Sequence, residues 1–170
     1  MKGFTIIETL IAVTILMLVT TGVIFALGNS LRTTVGSDVR IQAELLAEEG
    51  TELVRAIKDS NLLQQKLFYL TINTCTASVP CYVVNDGAAL PELKPCSGTC
   101  PALKISALGY GHQAAATTAS PFTRTITVDT LNTDSNGRPS EIRVNSTVTY
   151  QERGSTQSVA AKAIFTNWYE

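Results

Sequence analysis

Few residues in this sequence are of types and spacings that do chemistry. Glu8 is a carboxylate at the mouth of an apolar run, because the 23 residues from Thr9 to Leu31 carry no charge. An ionised carboxylate in such a setting costs a few kcal/mol unless it finds a partner, so Glu8 asks for a cation. Four cysteines, Cys75, Cys81, Cys96 and Cys100, fall within 26 residues of one another. Their C-x5-C and C-x3-C spacings are not those of zinc knuckles, and an even count outside the cytoplasm suits two disulfides. The short loops favour Cys75 with Cys81 and Cys96 with Cys100, and a nested arrangement would also serve. Asn132, Asp134, Asn136 and Gly137 follow the first half of a calcium loop, but the place of the bidentate glutamate holds Arg143 and the first ligand is a neutral Asn. A hairpin turn is the better reading. His112 is the only histidine, set in Gly109-Tyr110-Gly111-His112. With no nucleophile, oriented base or oxyanion site around it, it reads as a surface loop residue. Asn145-Ser146-Thr147 has the pattern of a glycosylation site but lies inside a predicted strand. No catalytic set, no metal site and no cofactor is expected, so the chain does not read as an enzyme.

The element that must position Glu8 is the apolar run itself. At about 1.5 Å per residue the run makes a helix of roughly 34 Å, enough to cross a hydrocarbon core of about 30 Å. A secretory signal ending at the small residues Ala26 and Gly28 would use a shorter run, about 7 to 15 residues, and more positive charge than Lys2. A plain signal anchor would explain the length and leave Glu8 unexplained. If the chain were cut between Gly3 and Phe4, the new α-amino group of Phe4 would lie in the same membrane layer as Glu8 of an adjacent copy. The missing cation would then be made by cleavage.

Gly3-Phe4-Thr5-Ile6-Ile7-Glu8 resembles the prepilin signature of type IV pilins and type II secretion pseudopilins. The resemblance implies cleavage after Gly3 by a prepilin peptidase, N-methylation of Phe4, and a role for Glu8 in registering a subunit on its neighbour. It also implies a pilin-like α+β fold: a long N-terminal helix, its first half transmembrane, packed against a C-terminal antiparallel sheet. The motif covers the first half of the N-terminal helix, and the rest of the chain is similar by architecture.

The bottom-up reading of the remainder fits that order. Residues 1–3 form the leader and 4–31 the apolar helix. From 32 to 66 the helix continues as an amphipathic one, with Val39, Ala43, Leu46, Gly50, Leu53 and Ile57 on a narrow stripe. Arg40 with Glu44 and Arg55 with Asp59 stand at supporting i, i+4 spacing. The stripe runs for too few heptads for a coiled coil, so the chain's own domain is expected to cover it. Gly22, Gly28 and Gly36 weaken the helix by about 1 kcal/mol each relative to Ala. Residues 67–120 read as a disulfide-stapled connector rich in proline, with Tyr82-Val83-Val84 and Leu103-Lys104-Ile105 as short strands and 114–120 as a small-residue loop. Residues 121–170 alternate with period two: Phe122, Ile126 and Val128; then Ile142, Val144, Val148 and Tyr150; then Val159, Ala161, Ala163 and Phe165. Turn residues separate them at 132–137 and at Gly154-Ser155, giving an antiparallel meander.

Among the 170 residues there are 13 Lys and Arg against 14 Asp and Glu, with no basic run, so nucleic acid is not indicated as a partner. The expected partners are other pilin or pseudopilin subunits, the prepilin peptidase, an inner-membrane assembly platform and the membrane. The expected location is a single pass through the inner membrane, followed by an extracellular or periplasmic filament. Ala47 to Arg55 and the stretch Phe165-Thr166-Asn167-Trp168-Tyr169 resemble minor pilins and minor pseudopilins most. Two further readings share the architecture: a minor pseudopilin of a type II secretion system, and a tip adhesin or DNA-uptake pilin acting through residues 70–120. The neighbouring genes separate a pilus from a secretion system.

Overall fold

A computed structural model describes residues 5–85, 90–107, 109–112, 118–152 and 154–167. The fold is α+β. One helix, α1 (Ile6–Leu63), is followed by eight strands: β1 (Cys81–Val84), β2 (Glu92–Pro95), β3 (Lys104–Ser106), β4 (Gly109–Gly111), β5 (Thr118–Ala119), β6 (Thr123–Thr133), β7 (Pro139–Glu152) and β8 (Ser155–Thr166). The helix runs through Gly22, Gly28 and Gly36 without a break. The chain divides into two compact units, Met1–Val39 and Arg40–Glu170.

In the second unit the strands form an antiparallel sheet in the order β2-β1-β6-β7-β8, with a small sheet β4-β3-β5 beside it. The expected meander is β6 to β8. The connector contributes more than the sequence suggested, because β1 joins the main sheet at Cys81 opposite Ile126 and β2 extends it, so the sheet has five strands. The 114–120 loop is part strand, since β5 pairs Ala119 with Lys104, while 113–117 lie outside the described residues.

From Arg40 onward α1 lays one stripe on the sheet. Ala43, Leu46, Ala47, Gly50, Val54 and Ile57 are buried, at steps of three and four. Leu53, assigned to the stripe from spacing, is half-buried, and Val54 takes its place. Steps of three and four both keep to one helix face, and the sheet lies on the side that selects the four-residue step from Gly50. Arg55 pairs with Glu52 at 2.9 Å rather than with Asp59, which lies beside Lys58 at 3.3 Å. Arg40 and Glu44 pair as spaced, at 3.0 Å.

The core is split by a polar layer. Gly50 stands between Ala47 and Val54 on α1, Arg124 between Phe122 and Ile126, and Ser146 between Val144 and Val148, and all of these residues are buried. The Arg124 side chain is 1% exposed, and it donates from one terminal nitrogen to the Leu46 carbonyl at 3.1 Å and to Glu49 at 3.0 Å. Burial lowers the pKa of this guanidinium and the Glu49 carboxylate raises it in part. Arginine stays charged at ordinary pH even so, which makes its burial a standing cost offset by the pair. Below the layer Val54, Ile57, Phe68, Ile72, Val128, Ile142 and Phe165 pack in one cluster. Above it Phe122 stacks edge-on with Tyr110 and tilts against Tyr150.

α1 ends in a Schellman motif. The Lys66 amide donates to the Asn61 carbonyl at 2.8 Å and the Gln65 amide to the Leu62 carbonyl at 3.0 Å, which places Gln65 at φ +56°. Glycine adopts that conformation at no steric cost, so Gln65→Gly is expected to stabilise the fold by up to about 1 kcal/mol. A rise in the thermal unfolding midpoint checks this, and a fall would show that the Gln65 side chain contributes more than its backbone loses.

Candidate membrane and assembly segment

Thr5 caps α1. Its carbonyl accepts from the amides of Glu8 at 3.0 Å and Thr9 at 3.3 Å, so Glu8 occupies the third helical position. Thr5-x-x-Glu8 is the spacing of a capping box, and the first turn is where a helix end favours a carboxylate. Glu8 is exposed, and among the described residues no ion pair reaches it. Gly3 and Phe4 lie outside the described residues.

From Thr9 to Leu31 the helix carries no charge on any face. Ile6 is 84% exposed and Phe25 73%, and the residues between them include no buried one. A helix with that composition and no protein against it matches lipid or other apolar helices as surroundings. It is the one helix among the described residues that is long and apolar enough to cross a membrane. Its threonines hide their hydroxyls in its own backbone: Thr9 donates to the Ile6 carbonyl, Thr14 to Ile11, Thr20 to Leu16, and Thr21 to Met17, at 2.7 to 2.9 Å. Each bond removes a donor that hydrocarbon would leave unsatisfied, so these threonines do not oppose insertion. Glu8 is then the one ionisable group between Ile6 and Leu31.

The other residues singled out from sequence lie in the second unit. Cys75 is bonded to Cys81 and Cys96 to Cys100. The first bridge ties the loop after α1 to the start of β1, where the Cys75 carbonyl accepts from the Val128 amide at 2.6 Å. The second closes the turn after β2, with the Cys96 amide donating to the Pro80 carbonyl at 2.8 Å. Both staple β1 and β2 to their surroundings. His112 is not a free surface residue. Its ring is half-buried, with Nδ1 3.0 Å from the Val83 carbonyl, Nε2 3.0 Å from the Pro101 carbonyl, and the ring edge-on to Tyr82. It ties three segments of the connector, a role that its glycine-rich sequence context does not signal.

Asp134 sits in the turn between β6 and β7, where one carboxylate oxygen accepts from the amides of Asn136 and Arg138 at 2.8 Å each and Gly137 takes φ +75°. That is turn chemistry. Asn145 lies in β7 and donates to Asp129 at 3.0 Å. Among the described residues no group of three or more His, Cys, Asp or Glu is placed to hold a metal. Sequence reasoning missed a cavity of about 560 Å³ at the distal end of α1, walled by Leu62, Leu67, Phe68 and Tyr69 and rimmed by Lys66 and Arg138. It forms between segments far apart in the chain, which spacing does not reveal. No protein-family model, curated protein or solved structure matches the chain.

Proposed function

We propose that this chain is a pilin-like structural subunit, a minor pilin of a type IV pilus, held in the inner membrane by its N-terminal helix and assembled into a filament through it. The observation that carries the reading is Glu8: one carboxylate at the mouth of an otherwise uncharged span, five residues after Gly3 in a motif that resembles a prepilin signature. In the proposed sequence of events a prepilin peptidase hydrolyses the Gly3–Phe4 bond, and the α-amino group released on Phe4 becomes the cation that Glu8 of a neighbouring subunit lacks. In a low-dielectric helix bundle an unpaired charge costs several kcal/mol, so pairing favours the register in which amine meets carboxylate. The exposed apolar span and the internally satisfied threonines support the reading, because they leave that pair as the one charged determinant in the segment. The head, with its own covered core, rides outside.

Two variants test it. Gly3→Leu is expected to block processing, so that no amine forms on Phe4 and the subunit is lost from filaments. Glu8→Val is expected to insert and to be processed, with incorporation reduced about tenfold or more, which corresponds to losing only part of a buried pair. Both are followed by mass spectrometry of the N-terminus and by quantifying the tagged subunit in sheared fibres beside a wild-type partner. Normal incorporation of uncleaved Gly3→Leu would overturn the whole reading. Normal incorporation of cleaved Glu8→Val would overturn only the pairing role.

A further inference from the structure

The main sheet has two edges that are built differently. β2 is four residues long, ends at Pro95 and carries the charged pair Glu92 and Lys94, all of which blunt an edge against pairing. β8 is twelve residues long, keeps an unbroken register with β7 from Ser155 opposite Glu152 to Thr166 opposite Glu141, and contains a single charge, Lys162. Among the described residues nothing pairs with its far side.

Hairpin geometry decides which backbone groups of β8 are left over. Glu152 and Ser155 close a two-residue loop, and such a closing pair exchanges both of its backbone hydrogen bonds. Odd-numbered residues of β8 therefore face β7, as the Asn167 amide bonded to the Ser140 carbonyl at 3.0 Å also requires. The amides and carbonyls of Thr156, Ser158, Ala160, Lys162, Ile164 and Thr166 point away from the sheet. Beside them Val159, Ala161 and Ala163, on the face that α1 covers, are only half-buried. The apolar face thus runs past its cover at this edge.

We propose that β8 is a homophilic interface, pairing antiparallel with β8 of a second copy about a two-fold axis at Ala161. That register makes Ala160 the partner of Lys162, so the one charge never meets its own copy, and like charges set directly opposite are what destabilises a cross-strand pair. It matches small with large elsewhere: Val159 meets Ala163, Ser158 meets Ile164 and Gln157 meets Phe165. The even-numbered residues, whose groups point outward, become the hydrogen-bonded pairs. The interface is isologous and closes at two copies.

The same axis fixes how the two heads lie against one another. From Gly50, beside Ser146, α1 runs toward Phe165, over whose ring Arg55 and Lys58 lie at 5.8 and 5.5 Å. The helix therefore travels along β8 in its own direction, and the two-fold reverses one helix against the other. The Arg40 ends of the two heads therefore fall at opposite ends of the pair.

The test uses the full chain in detergent. All four native cysteines are paired, so an added thiol is the free one. Ala161→Cys is expected to form a disulfide-linked dimer on mild oxidation, and Gln157→Cys, far from its own copy in this register, is not. Ala160→Lys sets two lysines opposite one another twice per dimer and Ala160→Glu sets opposite charges there; the exposed position leaves folding unchanged, and their dimer dissociation constants are expected to differ about tenfold in favour of glutamate. Equal cross-linking at 157 and 161, or a monomer by sedimentation at all concentrations, would overturn the interface. None of these readouts depends on cleavage at Gly3, so loss of the filament reading leaves the strand pairing to stand or fall alone.

Discussion

Gly50→Ala is expected to destabilise the head by about 2 kcal/mol, although the same change in an exposed helix interior would stabilise it by about 1 kcal/mol. A Cβ on residue 50 would come 2.2 Å from Ser146 Oγ, 2.9 Å from Arg124 Cδ and 3.1 Å from Ser146 Cβ. The hydroxyl can rotate away. The arginine cannot yield easily, because its guanidinium is held at the far end by the Leu46 carbonyl and Glu49. Relief would require α1 to lift from β6 and β7, opening the layers on either side. Overpacking therefore outweighs helix propensity.

The Ser146 hydroxyl is buried without a hydrogen-bond partner among the described residues. Ser146→Ala alone is expected to be neutral or mildly stabilising, since it removes an unsatisfied buried group. Combined with Gly50→Ala it should recover part of the loss by removing the shortest contact, and a double-mutant cycle should show coupling of about 1 kcal/mol. Thermal or urea unfolding of the four proteins measures this. A Gly50→Ala protein as stable as the wild type would mean that α1 does not approach the sheet at this point.

Much of this arrangement was readable in the residues before the fold was. The alternation Phe122, Arg124, Ile126, Val128 already places Arg124 on the inward face, and Gly50 in the helical stripe already marks a place without a side chain. Neither observation shows by itself that the two coincide, because that depends on the height at which the helix crosses the strands. The exchange of Leu53 for Val54 has the same origin. Spacing along a helix defines a face to within one residue, and the facing sheet chooses among its members. The addition of β1 and β2 to the sheet was less legible, since Cys81–Val84 is too short for periodicity to count and its pairing with Ile126 is fixed by contacts distant in sequence. At the N-terminus the position of Glu8 in the first turn follows directly from the Thr5-x-x-Glu8 spacing. The disulfide pairs are the ones that loop length favours over a nested arrangement, since residues four and six apart bring their Cα atoms within reach, 4.9 and 5.3 Å here, with little rearrangement of the chain. His112 was illegible for the opposite reason: both oxygens beside its ring nitrogens are backbone carbonyls, which carry no side-chain signature.

Shortening the chain from its N-terminus should give two opposite outcomes on either side of the amphipathic stripe. A protein beginning at Thr34 loses the apolar span but keeps Ala43, Leu46, Ala47, Gly50, Val54 and Ile57, and with them the whole cover of the sheet. It is expected to be soluble and to unfold in one cooperative transition. A protein beginning at Asp59 keeps every strand and both disulfides, yet it loses that cover. Ile126, Ile142, Val144 and Val148 would then face water, and Arg124 would lose both of its acceptors. Each buried Leu, Val or Ile side chain contributes about 1.5 to 3 kcal/mol, so losing Leu46, Val54 and Ile57 and exposing Ile126, Ile142, Val144 and Val148 removes as much as or more than the roughly 5 to 15 kcal/mol that holds a domain of this size folded. The bridges Cys75–Cys81 and Cys96–Cys100 close short loops near β1 and β2 and cannot replace a missing layer. The shorter protein is expected to aggregate through its exposed sheet, and any fraction kept in solution should melt without a cooperative transition and bind an apolar dye. Solubility after refolding, the shape of the thermal transition and dye fluorescence distinguish the two outcomes. Equal solubility and equally sharp melting would mean that the sheet is stable without α1, and that the stripe from Ala43 to Ile57 is present for contacts with other chains.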